Sequence, residues 1–430
     1  MTASEIADAG TSRWRMPGGL LGTALRYAAS ASGPVAISGA HFTASLIFLH
    51  NLPAHEFGLF SFVMVVVAFG MSLNVALISV PLTRNLAVGE SATAPICFQM
   101  NWLVCAVFAG LMFAALLISG APLQEAVLLG LFAGSFTFRW FARCFAFVDG
   151  RMSAAIRSDL TYALLLVGSL GLLAVMHAVT FTAGSVMLLL SALAALLPFG
   201  PRFFRTQLAA LAGNPLRYWP IFRDVTRWSL LGVVMTELTV NAHAYLVTFI
   251  SGPGAFAILA LGMLLMRPAS LLQSALPDLE RPAMARAIAA KDIVALSRTE
   301  RHFTFGLMAA WVANILLCIA LLVFFPALVV KPSYGLENVV IVAAACGLIM
   351  AIRALRTPPA VLLQAAGHFK ELAAIGSSSA VISLAATLAL LLAFGPIESL
   401  GGIVLGELVI VARCYRDSRR YKLSQRETLA

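Results

Sequence analysis

The sequence predicts an all-α polytopic membrane protein with about 12 transmembrane helices in two six-helix bundles. Three observations carry that prediction: an apolar composition, a succession of long apolar runs, and an internal repeat. Of the 430 residues, 60% are hydrophobic and only 11% are charged, and the mean hydropathy is +0.92. Soluble domains average roughly 25% charged residues, so this chain is not a soluble enzyme, a secreted disulfide scaffold or a nucleic-acid-binding domain.

Runs that stay apolar for the length of a bilayer fall at about 31–50, 58–82, 95–118, 124–147, 160–178, 181–199, 228–250, 254–276, 303–326, 338–364, 372–394 and 398–413. They divide the chain into a lead-in at 1–30, a first bundle at 31–200, a basic linker at 201–227, a second bundle at 228–413 and a basic tail at 414–430. The lead-in imitates a signal peptide, but Arg26 interrupts its apolar core, and it is read as an uncleaved cytoplasmic segment.

The net charge of +10 reflects topology. Twenty-five of the 29 cations are arginine. With both termini inside, Lys331 alone falls in an outer segment and five arginines fall within spans, while all the others, counting Arg413 at the inner end of the last span, lie in inner segments. Cytoplasmic loops carry this excess in inner-membrane proteins, so a multi-pass protein of the cytoplasmic membrane with both ends inside is expected, with no nucleic-acid partner.

Two echoes suggest parallel repeats. Residues 58–81 match 254–277 at an offset of 196, pairing Gly58 with Gly254, Phe60 with Phe256 and Pro81 with Pro277. Residues 138–152 match 355–369 at an offset of 217, pairing Arg139 with Arg356 and Gly150 with Gly367. Repeats of this kind recur in transporters with the substrate site between the halves.

The five intramembrane arginines are Arg139, Arg143, Arg267, Arg353 and Arg356. Each costs several kcal/mol to bury and is tolerated when it faces a wet cavity or a partner. Arg139 and Arg143 are four apart and Arg353 and Arg356 three apart, so each pair shares a helix face. Arg267 precedes Pro268, where a lost backbone hydrogen bond invites a kink. Arg139, Arg267 and Arg353 are expected in a cationic cavity suited to phosphate or another anionic head group. Arg143 and Arg356 fit that cavity or snorkel to the inner interface.

Glu237 lies in mid-span with Asn241 on the same face. In hydrocarbon its carboxylate needs a proton, a cation or an arginine, which makes Glu237 and Asn241 candidates for ion coupling by a proton or sodium gradient, with a structural salt bridge as the alternative. Asp159 is expected at the inner interface, and Glu407 against a neighbouring helix. His41 and His243 read as core or cavity histidines. The six cysteines form no CxxC pair or His/Cys cluster, so no metal site is expected. No Walker pattern occurs, no catalytic residues are assigned, and the chain is read as a transporter without a bound cofactor.

LHNLPAHEFGLFSFV (49–63) resembles the L-G-P-x-E-F-G-x-F junction of the polysaccharide-exporter, or Wzx-type, lipid-linked oligosaccharide flippases of the multidrug/oligosaccharidyl-lipid/polysaccharide exporter superfamily. RWFARCFAFVDGRMSAAIRSDLTYALL (139–165) is similar to that family's fourth span and following loop. RWSLLGVV (227–234) and YLVTFISGPGAFAILALGMLLMRP (245–268) resemble its seventh and eighth. The sequence departs from the family in having Asn51-Leu52-Pro53 where Leu-Gly-Pro is usual, and it lacks the arginine that often precedes that turn.

The resemblance implies a V-shaped, alternating-access flippase. It would carry a polyprenyl-diphosphate-linked saccharide across the cytoplasmic membrane for surface or exopolysaccharide (O-antigen-type) biosynthesis. Expected partners are that lipid-linked saccharide, membrane lipid, and a polysaccharide polymerase or other assembly proteins. The alternative is a multidrug and toxin extrusion type antiporter, whose cationic substrates call for acids, not arginines, in the cavity. A membrane-embedded polymerase or ligase needs a large outer loop, which is absent here, and a non-transporting scaffold would be insensitive to loss of the arginines.

Overall fold

The computed structural model describes residues 20–82, 93–330 and 334–429. The first 19 residues of the lead-in, and with them Arg13 and Arg15, lie outside the described residues, as do Arg84 and Lys331. Every regular element among the described residues is helical. The chain divides into two compact units between Val233 and Val234.

The first unit contains α1 (Leu20–Asn51), α2 (Ala54–Asn74), α3 (Ala94–Ile118), α4 (Leu123–Val148), α5 (Met152–Val175), α6 (Phe181–Ala194) and the short α7 (Gly200–Ala209). Helix α1 begins 11 residues before the expected span at 31. Arginine is a good helix former, so Arg26 does not end the helix. Helix α2 runs on through a π-helical turn, Val75–Ser79. Helices α3 and α4 approach closely because α4 turns Gly130 and Gly134 toward α3, where an added methyl would meet the Ala109 carbonyl at 3.0 Å and the Ala109 Cβ at 2.9 Å. Small residues four apart allow this contact in an apolar solvent that supplies no hydrophobic drive between helices. Phenylalanines fill the remaining core, with Phe48 and Phe60 edge to face at 4.6 Å.

The second unit takes in α8 (Arg227–Val240), which crosses the division, then α9 (Ala242–Ile250), α10 (Pro253–Leu265), α11 (Arg267–Ala289), α12 (Ile293–Phe324), α13 (Leu336–Ala365), α14 (Phe369–Ala393) and α15 (Leu400–Leu429). Two of its spans are broken: α8 and α9 meet at 62°, and α10 and α11 at 61°. The second break falls at Arg267-Pro268, as the missing proline N–H requires. The first falls at Asn241, which the sequence does not flag by any proline or glycine. Gly402 and Gly406 of α15 press against Thr387 and Ser383 of α14, and the Ser379 hydroxyl donates to the Gly406 carbonyl at 2.7 Å. The last span and the basic tail form one continuous helix rather than two segments.

Seven described helices are long and apolar enough to cross a membrane, and the bent pairs raise that number to nine. The three other expected spans lie on α1, α4 and α15. Each carries polar or charged groups along its apolar run: His41 and His50 in α1, Glu125, Arg139 and Arg143 in α4, and Glu407 and Arg413 in α15. The offset of 217 has a backbone counterpart. Gly150 (φ 69°) ends α4 and Gly367 (φ 81°) ends α13, each followed by a 6→1 hydrogen bond, Arg151 to Ala146 and His368 to Leu363. Both positions need the left-handed conformation that glycine adopts without strain.

Candidate functional site

The fourth span carries a buried clamp. Arg139 and Arg143 project from α4 toward α5, where Arg139 donates to Asp159 Oδ1 and Arg143 to Asp159 Oδ2, both at 2.8 Å. Arg139 is fully buried and Asp159 is 1% exposed, so this acid, expected near the inner interface, is packed inside the protein. The carboxylate goes inside because two guanidiniums on one helix face call for a counter-charge there. Phe136 and Tyr162 line the other side of Arg139, with ring centroids 4.6 and 5.0 Å from its guanidinium carbon. Tyr162 in turn hydrogen-bonds His41 of α1 at 2.8 Å. Gly33 of α1 passes so close that an added methyl would overlap the Asp159 carboxylate.

A second clamp occupies the other unit. Arg353 Nε lies 2.7 Å from Glu407 Oε1, and Arg356 Nε lies 3.0 Å from Glu407 Oε2. Glu407 is fully buried, in keeping with its expected packing against a neighbouring helix. Arg353 also reaches the Val240 carbonyl at 3.5 Å, at the broken end of α8. A carbonyl that ends a helix inside a membrane needs such a donor. The arginines of the two clamps come from helices related by the 217-residue offset. Their acids do not: Asp159 is on the helix that follows its arginines, Glu407 on the last helix.

Beside the second clamp is a cavity of about 180 Å³ between the two helix breaks. Its polar lining is His243, Arg267, Ser270 and Arg353, and its apolar lining includes Met263 and Met350. His243 faces Met263 with Nε2 3.4 Å from the sulfur, and its Nδ1 has no hydrogen-bond partner among the described residues. Among the described residues no acidic group pairs with Arg267, whereas each of the other four arginines has one. The volume lies below the roughly 300–1,000 Å³ of pockets that enclose drug-sized ligands. It suits one oxyanion group and not a whole saccharide.

Glu237 stands one turn before the Asn241 break. Tyr245 donates to Glu237 Oε1 at 2.6 Å, and Asn241 donates to Oε2 at 3.1 Å. Among the described residues no arginine pairs with this carboxylate, so its neighbours are neutral hydrogen-bond donors. The expected juxtaposition of Glu237 and Asn241 is present, and Tyr245 is an addition that helical spacing across an unbroken span does not disclose.

The structure therefore sorts the five arginines. Arg267 and Arg353 line the cavity. Arg353 is also held by Glu407, as Arg356 is, and Arg139 and Arg143 are held by Asp159; Arg139, Arg143 and Arg356 do not line this cavity. Asp159 and Glu407 are the site residues to which the sequence assigns no role; an arginine pair elsewhere in the same half is the signal that calls for each acid.

No family model matches the sequence, and no curated protein matches it. Solved structures do resemble it. An inward-facing multidrug resistance MATE family transporter of the MOP superfamily is 12% identical, with a TM-score of 0.69 over 93% of this chain and 100% of that one. The lipid II flippase MurJ in its inward closed conformation is 12% identical, with a TM-score of 0.67 over 92% of this chain and 90% of that one. A MOP superfamily transporter from Pyrococcus furiosus Vc1, described as having a binding pocket of reversed polarity, is 12% identical, with a TM-score of 0.58 over 93% and 95%. At these identities the likeness is one of fold. The chain is a multi-pass helical protein with the two-halved architecture of MATE transporters and the MurJ flippase.

Proposed function

We propose that this chain is a flippase that moves a polyprenyl-diphosphate-linked oligosaccharide across the cytoplasmic membrane by alternating access, for surface or exopolysaccharide biosynthesis. The observation that carries the reading is Arg267, a guanidinium with no acidic partner among the described residues, lining a cavity beside Arg353. Leaving such a charge in an apolar protein is costly unless a ligand completes it. Arginine grips phosphate oxygens with paired donors. The cavity would take one phosphate of the diphosphate, with the saccharide and the lipid tail outside it. A positive cavity also discriminates against the cationic drugs of a multidrug antiporter, the second reading that the MATE-like fold brings into play.

In this reading Glu237 is the coupling residue. Its carboxylate, held by Tyr245 and Asn241 at a helix break and paired with no arginine among the described residues, accepts a proton or sodium ion. Both termini face the cytoplasm, as the arginine bias requires. Assembly proteins such as a polymerase would receive the translocated product.

The test compares cells with and without the gene, extracting polyprenyl-diphosphate-linked saccharides and measuring surface polymer. Accumulation of the lipid-linked intermediate with loss of the polymer supports the flippase. Unchanged lipids together with increased sensitivity to cationic drugs would replace it with the antiporter.

A further inference from the structure

The stretch from Leu197 to Trp219 has two faces. One is fastened to the first unit. Phe203 packs among Phe138, Phe145 and Phe199 at ring distances of 6.0, 6.2 and 5.5 Å. The Gln99 amide donates to the Gly213 carbonyl at 2.6 Å. Tyr218 donates its phenol to the Leu77 carbonyl in the π-helical turn of α2 and hydrogen-bonds Thr226 at 3.0 Å. The opposite face presents leucine, tryptophan and arginine outward. Leu208 is 55% exposed, Leu216 77% and Trp219 62%, interleaved with exposed Arg202, Arg205 and Arg217.

That composition is wrong for a water-exposed loop and right for a membrane interface. Leucines and a tryptophan enter the acyl boundary while arginines remain at the level of the phosphates. Charge complementarity selects the lipid. No aspartate or glutamate occurs between Asp159 and Asp224, and the guanidiniums of Arg202, Arg205 and Arg217 have no acidic partner among the described residues. Arg202 and Arg205 are three apart on α7 and act together from one side.

We propose that the Leu197–Trp219 segment is a binding site for anionic phospholipid, with Arg202, Arg205 and Arg217 on the head group and Leu208, Leu216 and Trp219 among the acyl chains. The fastening through Gln99 and Tyr218 holds this platform rigid, so the lipid meets a preformed surface. The proposal is independent of the cargo and would hold for any carrier built on this chain.

The test titrates fluorescently labelled phosphatidylglycerol and phosphatidylcholine into the full-length protein in neutral detergent. The wild type is expected to prefer phosphatidylglycerol, and R202Q/R205Q/R217Q to lose that preference, by about fivefold in apparent Kd for each arginine removed. R202K/R205K/R217K keeps the charge and is expected to retain most of the preference. In the wild type, added salt weakens phosphatidylglycerol binding and leaves phosphatidylcholine binding unchanged, a readout that needs no variant. Equal binding of the two lipids by the wild type, or an unchanged preference in the glutamine variant, would overturn the proposal. Displacement of the labelled lipid by inorganic phosphate alone would overturn its acyl-chain half.

Discussion

Arg353 connects two features that the sequence keeps far apart: its Nε meets Glu407 at 2.7 Å, and its Nη2 reaches the Val240 carbonyl at the break in α8. One side chain thereby ties the last helix to the kink that carries Glu237 and also lines the cavity. Truncating Arg353 is expected to leave Glu407 with only Arg356 and the Val240 carbonyl without its donor. R353A is expected to lower both thermal stability and transport. R353K restores the charge and not the two-armed reach, so it is expected to recover stability more than transport. Melting in detergent and export in cells, measured on the same variants, separate the two.

The first clamp makes the opposite prediction. Asp159 neutralises two arginines in a fully enclosed setting, and removing one partner of a buried pair costs about 3–5 kcal/mol because the remaining charge is stranded. D159A is expected to reduce the amount of folded protein in the membrane, and R139A to do the same. If both variants accumulate normally and lose transport alone, Arg139 acts on the cargo after all.

Gly33 supplies an independent check on that clamp. A methyl there overlaps the Asp159 carboxylate, so G33A is expected to mimic D159A in thermal stability. G39A, at a position of the same helix with open space around it, is expected to be neutral. The pair controls for helix propensity, which favours alanine in both.

The linker fastening has a pH signature. Burial pushes the Tyr218 phenol up to about 12, with the Thr226 hydrogen bond pulling in the other direction. A raised phenol contributes stability that is complete below its ordinary value of about 10 and is lost as pH rises through the shifted value. Limited proteolysis of the 201–227 linker is expected to stay slow up to about pH 10 and to accelerate toward pH 12. Y218F, which lacks the donor, is expected to be cleaved faster at neutral pH and to show no such window.

Much of this molecule is legible in its sequence because a membrane imposes simple rules. Apolar run length locates the spans, and arginine spacing places Arg139 with Arg143 and Arg353 with Arg356 on shared faces. The residue matches that pair Gly150 with Gly367 survive as two helix ends of the same left-handed geometry. What the sequence hides is tertiary. Asp159 and Glu407 meet their arginines across helix contacts, and nothing local marks which acid serves which pair. The break at Asn241 has no proline, so Tyr245 reaches Glu237 by a bend that helical periodicity does not contain. Which arginines line the cavity depends on those same contacts.

The central claim is that Arg267 and Arg353 hold one phosphate of a polyprenyl diphosphate. The direct measurement is binding of a polyprenyl diphosphate to the purified full-length protein and to R267A, with protein yield and melting temperature recorded for both. Loss of a charge-assisted hydrogen bond of about 1.5–3 kcal/mol corresponds to roughly 10- to 100-fold in affinity. The account expects that loss in R267A at unchanged yield and melting temperature. Equal affinity in the two proteins would contradict it.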